Sequence, residues 1–251
     1  MTTFGAQSAI SREAAVGRQA LLIHYALEGD LRFQSHHDQI RVLTRALLRA
    51  GWPLSYSQGF NPQPRLSLPL PRRVGIVSDC EYAVVEIDVP PDLERLFDAL
   101  ATTLPRGAHL RRIAHLPKRS APQPVRARYT VELRSEHAEA LEPAIAEMLA
   151  AAALPIERVS APDKPARRID LRPLIETITL AGNVLTMCLV FRNQRTARPG
   201  EILTILKLPA ADYEHRVRQL AVELDIAPGD LPYWPPGMER TNVGQEEINY
   251  S

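Results

Sequence analysis

Residues 20–27, ALLIHYAL, place an apolar side chain at every second position: Leu21, Ile23, Tyr25 and Leu27 share one face. That period of two predicts a strand. Further on the period lengthens, and Ile40, Leu43, Ala46, Leu47 and Ala50 recur at helical spacing. Ser35 is placed to cap this helix and Asp38 to favour its first turn, while Gly51 and Pro53 end it. YAVVEID (82–88) returns to a period of two, with Ala83, Val85 and Ile87 on one side and Glu86 and Asp88 on the other. Pro91 opens a second helix through Leu93, Leu96, Phe97, Leu100 and Leu104, and HLRRIAH (109–115) predicts a closing strand. A weaker strand falls within 65–77. Strand, helix, strand, strand, helix, strand is the order of the ferredoxin-like split βαβ unit, an antiparallel sheet with two helices on one face.

A similar order follows the basic, proline-rich segment LPKRSAPQPVRA (116–127). ARYTVEL (127–133) predicts a strand, and Ser135 begins a helix in which Pro143 demands a kink or a later start. LPIERVS (154–160) predicts a strand. Gly182-Asn183 predicts a hairpin turn between IETITL and VLTMCLVF. Pro199 opens the helix EILTILKL, and 211–224 predicts another helix. The expectation is therefore an α+β chain of two ferredoxin-like halves with antiparallel sheets. A flexible N-terminus (1–17) precedes a first domain (18–115), a linker (116–127), a second domain (128–228) and a flexible C-terminal tail (229–251).

A chain of 251 residues buries enough surface to fold without a metal or disulfide staple. Its two cysteines, Cys80 and Cys188, sit in strand-like runs without a CxxC or Cys/His cluster, so no metal site is expected. That usage fits a reducing cytoplasm. No apolar run reaches the ~18–20 residues that span a bilayer, and residues 1–17 lack a signal peptide's apolar core. A cytoplasmic protein without membrane contact is expected.

Net charge is only +1, but it is segregated. Residues 31–75 hold seven arginines, Arg32, Arg41, Arg45, Arg49, Arg65, Arg72 and Arg73, against the single acid Asp38. Residues 104–130 add seven more Lys/Arg and no acid. His37, Arg41, Arg45 and Arg49 recur every four residues, one stripe on the helix face opposite its apolar side. The segment after the helix, SYSQGFNPQPRLSLPLPRR (55–73), has four prolines, two aromatics and no acid. Gly59 permits an unusual backbone angle there, and Pro62 and Pro64 stiffen the chain and exclude a central strand.

Guanidinium groups pair with phosphates and aromatic rings stack on unpaired bases. The expected nucleic-acid-binding residues are thus Arg32, His37, Arg41, Arg45, Arg49, Tyr56, Phe60, Arg65, Arg72 and Arg73, with the stripe and Arg65, Arg72 and Arg73 in one continuous patch. A protein-docking surface is the alternative use of the same residues. His36 and His37, at a helix N-terminus that favours neutral imidazole, are the candidates for a general base in metal-independent RNA cleavage. Tyr25 and Tyr56 are possible partners but no clear acid–base pair accompanies them, so no catalysis by the chain alone is expected.

The segment 31–87 resembles the signature region of the bacterial radical-SAM-linked family described as DUF2344. Phe33, Ser35, His36 and Asp38 match its first element, and Gly59, Phe60, Asn61, Pro62 and Pro64 match its G-F-N-P-x-P element. Glu81 and Tyr82 match its third, and RPGEILTILKL (198–208) is similar to a later one. The sequence departs from the pattern at His37, Gln63, Cys80 and Val84. The resemblance implies an accessory or substrate-binding subunit for a radical SAM modification enzyme, with tRNA or rRNA as the substrate class. The chain lacks CxxxCxxC, so the iron–sulfur cluster and S-adenosylmethionine would belong to the partner.

Overall fold

The structure, a computed structural model, describes residues 18–89, 92–116, 122–139, 141–159 and 165–226. The expected flexible ends, 1–17 and 229–251, and residues 117–121 of the expected linker lie outside the described residues. The fold is α+β with one mostly antiparallel sheet. Strand β1 (Gln19–Leu27) lies between β3 (Val77–Ile87) and β4 (Ala108–Leu116), antiparallel to both. The weak strand expected in 65–77 shrinks to β2 (Leu66–Ser67), paired with the far end of β3. In the second half β5 (Pro124–Glu132) lies between β9 (Val184–Val190) and β10 (Arg218–Leu224), and β8 (Ile175–Ala181) flanks β9. The order β4-β1-β3-β10-β5-β9-β8 is therefore continuous across both halves. β6 (Pro155–Arg158) and β7 (Arg167–Asp170) form a separate ribbon.

The local signals act as their chemistry requires. The backbone N–H of Asp38 donates to Ser35 Oγ, capping α1 (His36–Arg49), and Gly51 takes φ +70° just past its end. Leu43, Ala46 and Leu47 of α1 bury against Leu21, Ile23 and Val85, beside Leu96, Phe97 and Leu100 of α2 (Leu93–Thr103). Pro143 is accommodated by interruption: α3 (Ser135–Ala138) stops, and α4 (Leu141–Ala150) restarts with the proline in its first turn, where no N–H is needed. Around α5 (Pro199–Ile205), Ile202 and Leu203 enter the second core with Ile145 and Met148 of α4.

The helix expected over 211–224 is not there. A short α6 (Ala210–Tyr213) runs into a single 3-10 turn (Glu214–Arg216), and β10 follows. Leu, Ala and Glu suggested a helix, but Val217, Gln219 and Val222 are buried with exposed neighbours between them, the pattern of a bulged strand. Pairing with β5 and β3 overrides the intrinsic preference.

β10 meets β3 in parallel through only two pairs, Arg218 with Val77 and Gln219 with Ser78. Side chains carry the rest of this seam. Arg218 pairs with Asp79, and the Gln219 amide donates to Ser78 Oγ (3.0 Å), the Cys80 carbonyl (2.8 Å) and Glu81 Oε1 (3.3 Å). On the other side, Gln39 of α1 donates to Glu81 Oε2 (3.1 Å) and to the Tyr25 hydroxyl (2.7 Å). Arg72 stands 3.7 Å from Glu81, and its guanidinium donates to the carbonyls of Leu31, Arg32, Arg73 and Ile76. Tyr25, Gln39, Arg72, Ser78, Glu81 and Gln219 are all buried.

Burial pushes the Glu81 carboxyl above its ordinary range, and Ser78, Arg72 and Gln39 pull it back. The stability that depends on its protonated form is complete below the ordinary carboxylate pKa and is lost as pH climbs through the raised folded value. Removing Arg72 leaves the charge buried without its cation, which costs about 3–5 kcal/mol. The Arg72→Ala protein should therefore fall short of the wild type by about that much in urea unfolding at pH 7.5, and by less at pH 4.5. An equal gap at both values would mean that Glu81 is not charged in the folded protein.

Candidate nucleic-acid interface

α1 starts just after the 3-10 turn Gly29–Phe33 that follows β1, and the chain beyond it reaches the far end of β3, where Leu54 bridges to Ile87. Its fourteen residues span about 21 Å. His37, Arg41, Arg45 and Arg49 are exposed along its outer side, as the four-residue spacing predicts. Arg41 has one acid near it, Asp38 at 3.5 Å, in an exposed pair of little energetic weight. Hydrogen bonding from the Ser35 hydroxyl holds the Asp38 carboxyl below its usual range. Arg49 donates to the Thr103 carbonyl at 3.0 Å, tying the stripe's end to α2.

The GFNPQP segment is a stiff loop on a stitched base. Tyr56 bridges to Pro64, Ser57 N–H donates to the Gln63 carbonyl, and Gln63 N–H donates to Ser57 Oγ. Ser55 N–H donates to the Glu86 carbonyl and Glu86 N–H to that of Arg65, fixing the base to β3. Gly59 takes φ +132°, a region costly for a side chain. At the tip Phe60 is fully exposed, Asn61 and Pro62 are exposed, and Tyr56 has more than a third of its surface open. Arg65 lies 3.8 Å from Glu86, partly neutralised.

The single continuous patch expected from the sequence does not form. Arg72 is buried under the loop as the partner of Glu81 and has no part in the surface. Arg73 is exposed next to it, but it faces the second half: burial, then the charges of Arg158 and Arg73, lower the Arg198 guanidinium pKa, opposed by Glu201. Arg65 sits by Glu86, and Arg73 precedes Val77. The length of β3, about 30 Å at strand rise, separates them. The α1 stripe lies between these two groups. Arg32 is half-buried, with its guanidinium 4.7 Å from the Phe33 ring centre.

The signature residues also disperse. Ser35 and Asp38 form the cap, and Glu81 enters the buried network. Tyr82 points to the opposite sheet face, its ring stacked 5.0 Å from that of His24. Burial, then Arg112 and Arg111, lower the His24 pKa to about 4. His36 is half-buried, its Nδ1 without a hydrogen-bond partner, and His37 meets it edge-on at 5.7 Å. Among the described residues neither has a hydrogen bond or ion pair to a carboxylate or a tyrosine hydroxyl. Among the described residues no group of three or more His, Cys, Asp or Glu is placed to hold a metal ion, and no helix is long and apolar enough to cross a membrane.

Sequence reasoning missed Gln39 and Gln219. Gln39 was detectable: with Leu43, Ala46 and Ala50 it falls on the apolar stripe, where an amide needs a buried partner. Gln219 was hidden by the mistaken helix.

The chain is thus an α+β protein whose mostly antiparallel sheet carries a helix with exposed arginines and a loop with an exposed aromatic tip. The chain belongs to the family described as "Uncharacterized protein conserved in bacteria (DUF2344)", which matches residues 20–199. No curated protein matches it. Among solved structures, the "Crystal Structure of an Unknown Protein from Galdieria sulphuraria" aligns over 83% of this chain and 98% of that one, at 14% identity and a TM-score of 0.24. A superposition that loose carries no inference about fold or function.

Two aromatic residues beside this surface should separate exposure from structure. Trp52 is buried and its indole N–H donates to the Leu96 carbonyl, so Trp52→Ala should cost about 3–5 kcal/mol in chemical denaturation. Phe60→Ala should change stability by about 0.5 kcal/mol or less.

Proposed function

We propose that this chain is an RNA-binding accessory subunit of a radical SAM modification enzyme, built from two fused ferredoxin-like units and working in the cytoplasm. Two strand orders support the architecture: β4-β1-β3-β2 in the first half and β10-β5-β9-β8 in the second follow one pattern. Counting only the strands of the main sheet and leaving out the β6–β7 ribbon, each half reads 4-1-3-2 from its own first strand. The radical SAM partner, which would hold the iron–sulfur cluster and S-adenosylmethionine, rests on the signature elements at 31–87 and 198–208. tRNA or rRNA is the proposed substrate class.

The observation that carries the RNA reading is the exposed row Arg41, Arg45 and Arg49, ending near a rigid loop with a fully exposed phenylalanine. Arginines along a helix meet successive phosphates, and an exposed ring beside them offers a base a stacking surface. A loop already held in shape spends little ordering entropy on binding. A second reading, a protein-docking adaptor, is favoured by the apolar character of the same surface, where Phe33, Leu48 and Phe60 are exposed. Cleavage by His36 or His37 has the weakest support, since among the described residues neither is hydrogen-bonded to an acid or a tyrosine hydroxyl.

Each phosphate contact contributes about 0.7–0.9 to the salt slope of log affinity. Filter binding to total cellular RNA across a salt series should show Arg41/Arg45/Arg49→Ala flattening that slope by about 2–3 units. Equal slopes would remove the stripe from any RNA site. If the triple variant instead loses co-purification with a radical SAM protein from the native host, the surface is a docking face. RNA cleavage by the pure chain, lost on His36→Ala, would replace both readings with a nuclease.

A further inference from the structure

The second half carries a concentration of positive charge that the α1 surface does not explain. The chain reverses at Arg192-Asn193-Gln194-Arg195, where Arg192 and Arg195 exchange both backbone hydrogen bonds, at 2.8 and 2.9 Å. Asn193 and Gln194 both lie in the left-handed region, at φ 49° and 59°. Asn193 tolerates that region, but Gln194 does not favour it, so the second turn position is held against a local preference. Residues directly opposite in such a pair share a face with Cβ atoms about 4.5–5.5 Å apart, and like charges there repel. The sequence thus accepts two local costs, a strained turn and a facing pair of arginines. Such breaches of local consistency concentrate at functional sites.

These two arginines line a cavity of about 390 Å³ whose other wall is the β7 segment with Arg168 and Asp170, and whose remaining lining includes Pro173. Three arginines face one aspartate there, a formal charge of +2. Asp170 is already engaged, since its Oδ1 accepts from the backbone N–H of Leu154 (2.7 Å) and of Arg172 (3.0 Å). Arg192 Nε donates to the Pro173 carbonyl at 2.9 Å, which fixes its guanidinium at the cavity wall. Arg168 and Arg195 are exposed and have no carboxylate within ion-pairing distance among the described residues. A neighbouring groove of about 410 Å³ shares Asn193 and is walled by Pro69, Leu70 and Pro71, the end of the proline-rich loop of the first half.

We propose that Arg168, Arg192 and Arg195 form a phosphate-binding pocket, and that the phosphate it takes is a phosphodiester of a single strand led along the Pro69–Pro71 groove. A planar guanidinium held by its Nε still presents its two terminal nitrogens, the geometry that grips two phosphate oxygens at once. Only the source of the phosphate, an RNA strand, rests on the RNA reading above. The pocket itself does not.

The test compares wild type with Arg168→Gln/Arg195→Gln, which changes only exposed side chains and keeps the Arg192–Pro173 bond. Calorimetric titration with inorganic pyrophosphate should show binding to the wild type that weakens at least tenfold in the variant. No binding to the wild type, or equal affinities, overturns the pocket. Titration with single-stranded oligouridylate across a salt series should flatten the slope by up to about 0.7 in the variant, the share of the one phosphate the pocket holds. If oligouridylate does not bind at all while the pyrophosphate result holds, the RNA reading falls and the pocket stands as a site for a free phosphate compound. If oligouridylate binds with an unchanged slope, the strand does not run through this pocket and that half of the proposal is overturned.

Discussion

A carboxyl group buried at the middle of the sheet governs how the two halves of this protein join. Glu81 lies where β3 leaves β10 after only two backbone pairs, so the ladder alone is too short to hold the seam. An ionised carboxylate in that position is tolerable only if cations and donors surround it. Those come from every neighbouring element: Gln39 from α1, Gln219 from β10, Ser78 from β3 itself, and Arg72 from the chain before β3. Satisfying one side chain thus sets where α1, β10 and the proline-rich segment must lie. Arg72 carries the constraint outward through its bonds to the Leu31 and Arg32 carbonyls, which anchor the turn leading into α1.

The surface follows from that interior. With Arg72 drawn in, the chain on either side of it is held close to the sheet, and Arg73 is left outside, near Arg198 and Arg158 of the second half. Arg158 grips Glu201 with two nitrogens, at 2.8 and 2.6 Å, so that carboxylate is already neutralised and Arg198 keeps an excess of positive charge about it. The protein's basic character is distributed as separate clusters, set by the ends of β3, the outer side of α1 and the 192–195 turn.

Much of the first half was legible in the sequence. The alternation of 20–27 and 82–88, the helical spacing from Ile40 to Ala50, the Ser35 cap and the Gly51 stop are local signals, and each formed as its chemistry dictates. The exposure of the arginine stripe and the stiffness of the loop around Gly59 and Pro62 were equally local. Where two readings differed only by a long-range partner, the sequence was silent or misleading. The segment after Tyr213 has good helix formers, yet it is the strand that unites the sheet, because β3 and β5 offer open edges for its backbone.

Arg72 and Arg73 show the division most clearly. They are adjacent, identical in type, and inseparable by period, cap or composition. One is buried against Glu81 and the other is exposed. The sequence by itself determined which stretches become strands and helices and which helix face stays wet, since those depend on neighbours three or four residues away. Only the tertiary structure decided which arginine the surface keeps, because burying a charge is settled by whether an opposite charge and enough carbonyls meet it in space.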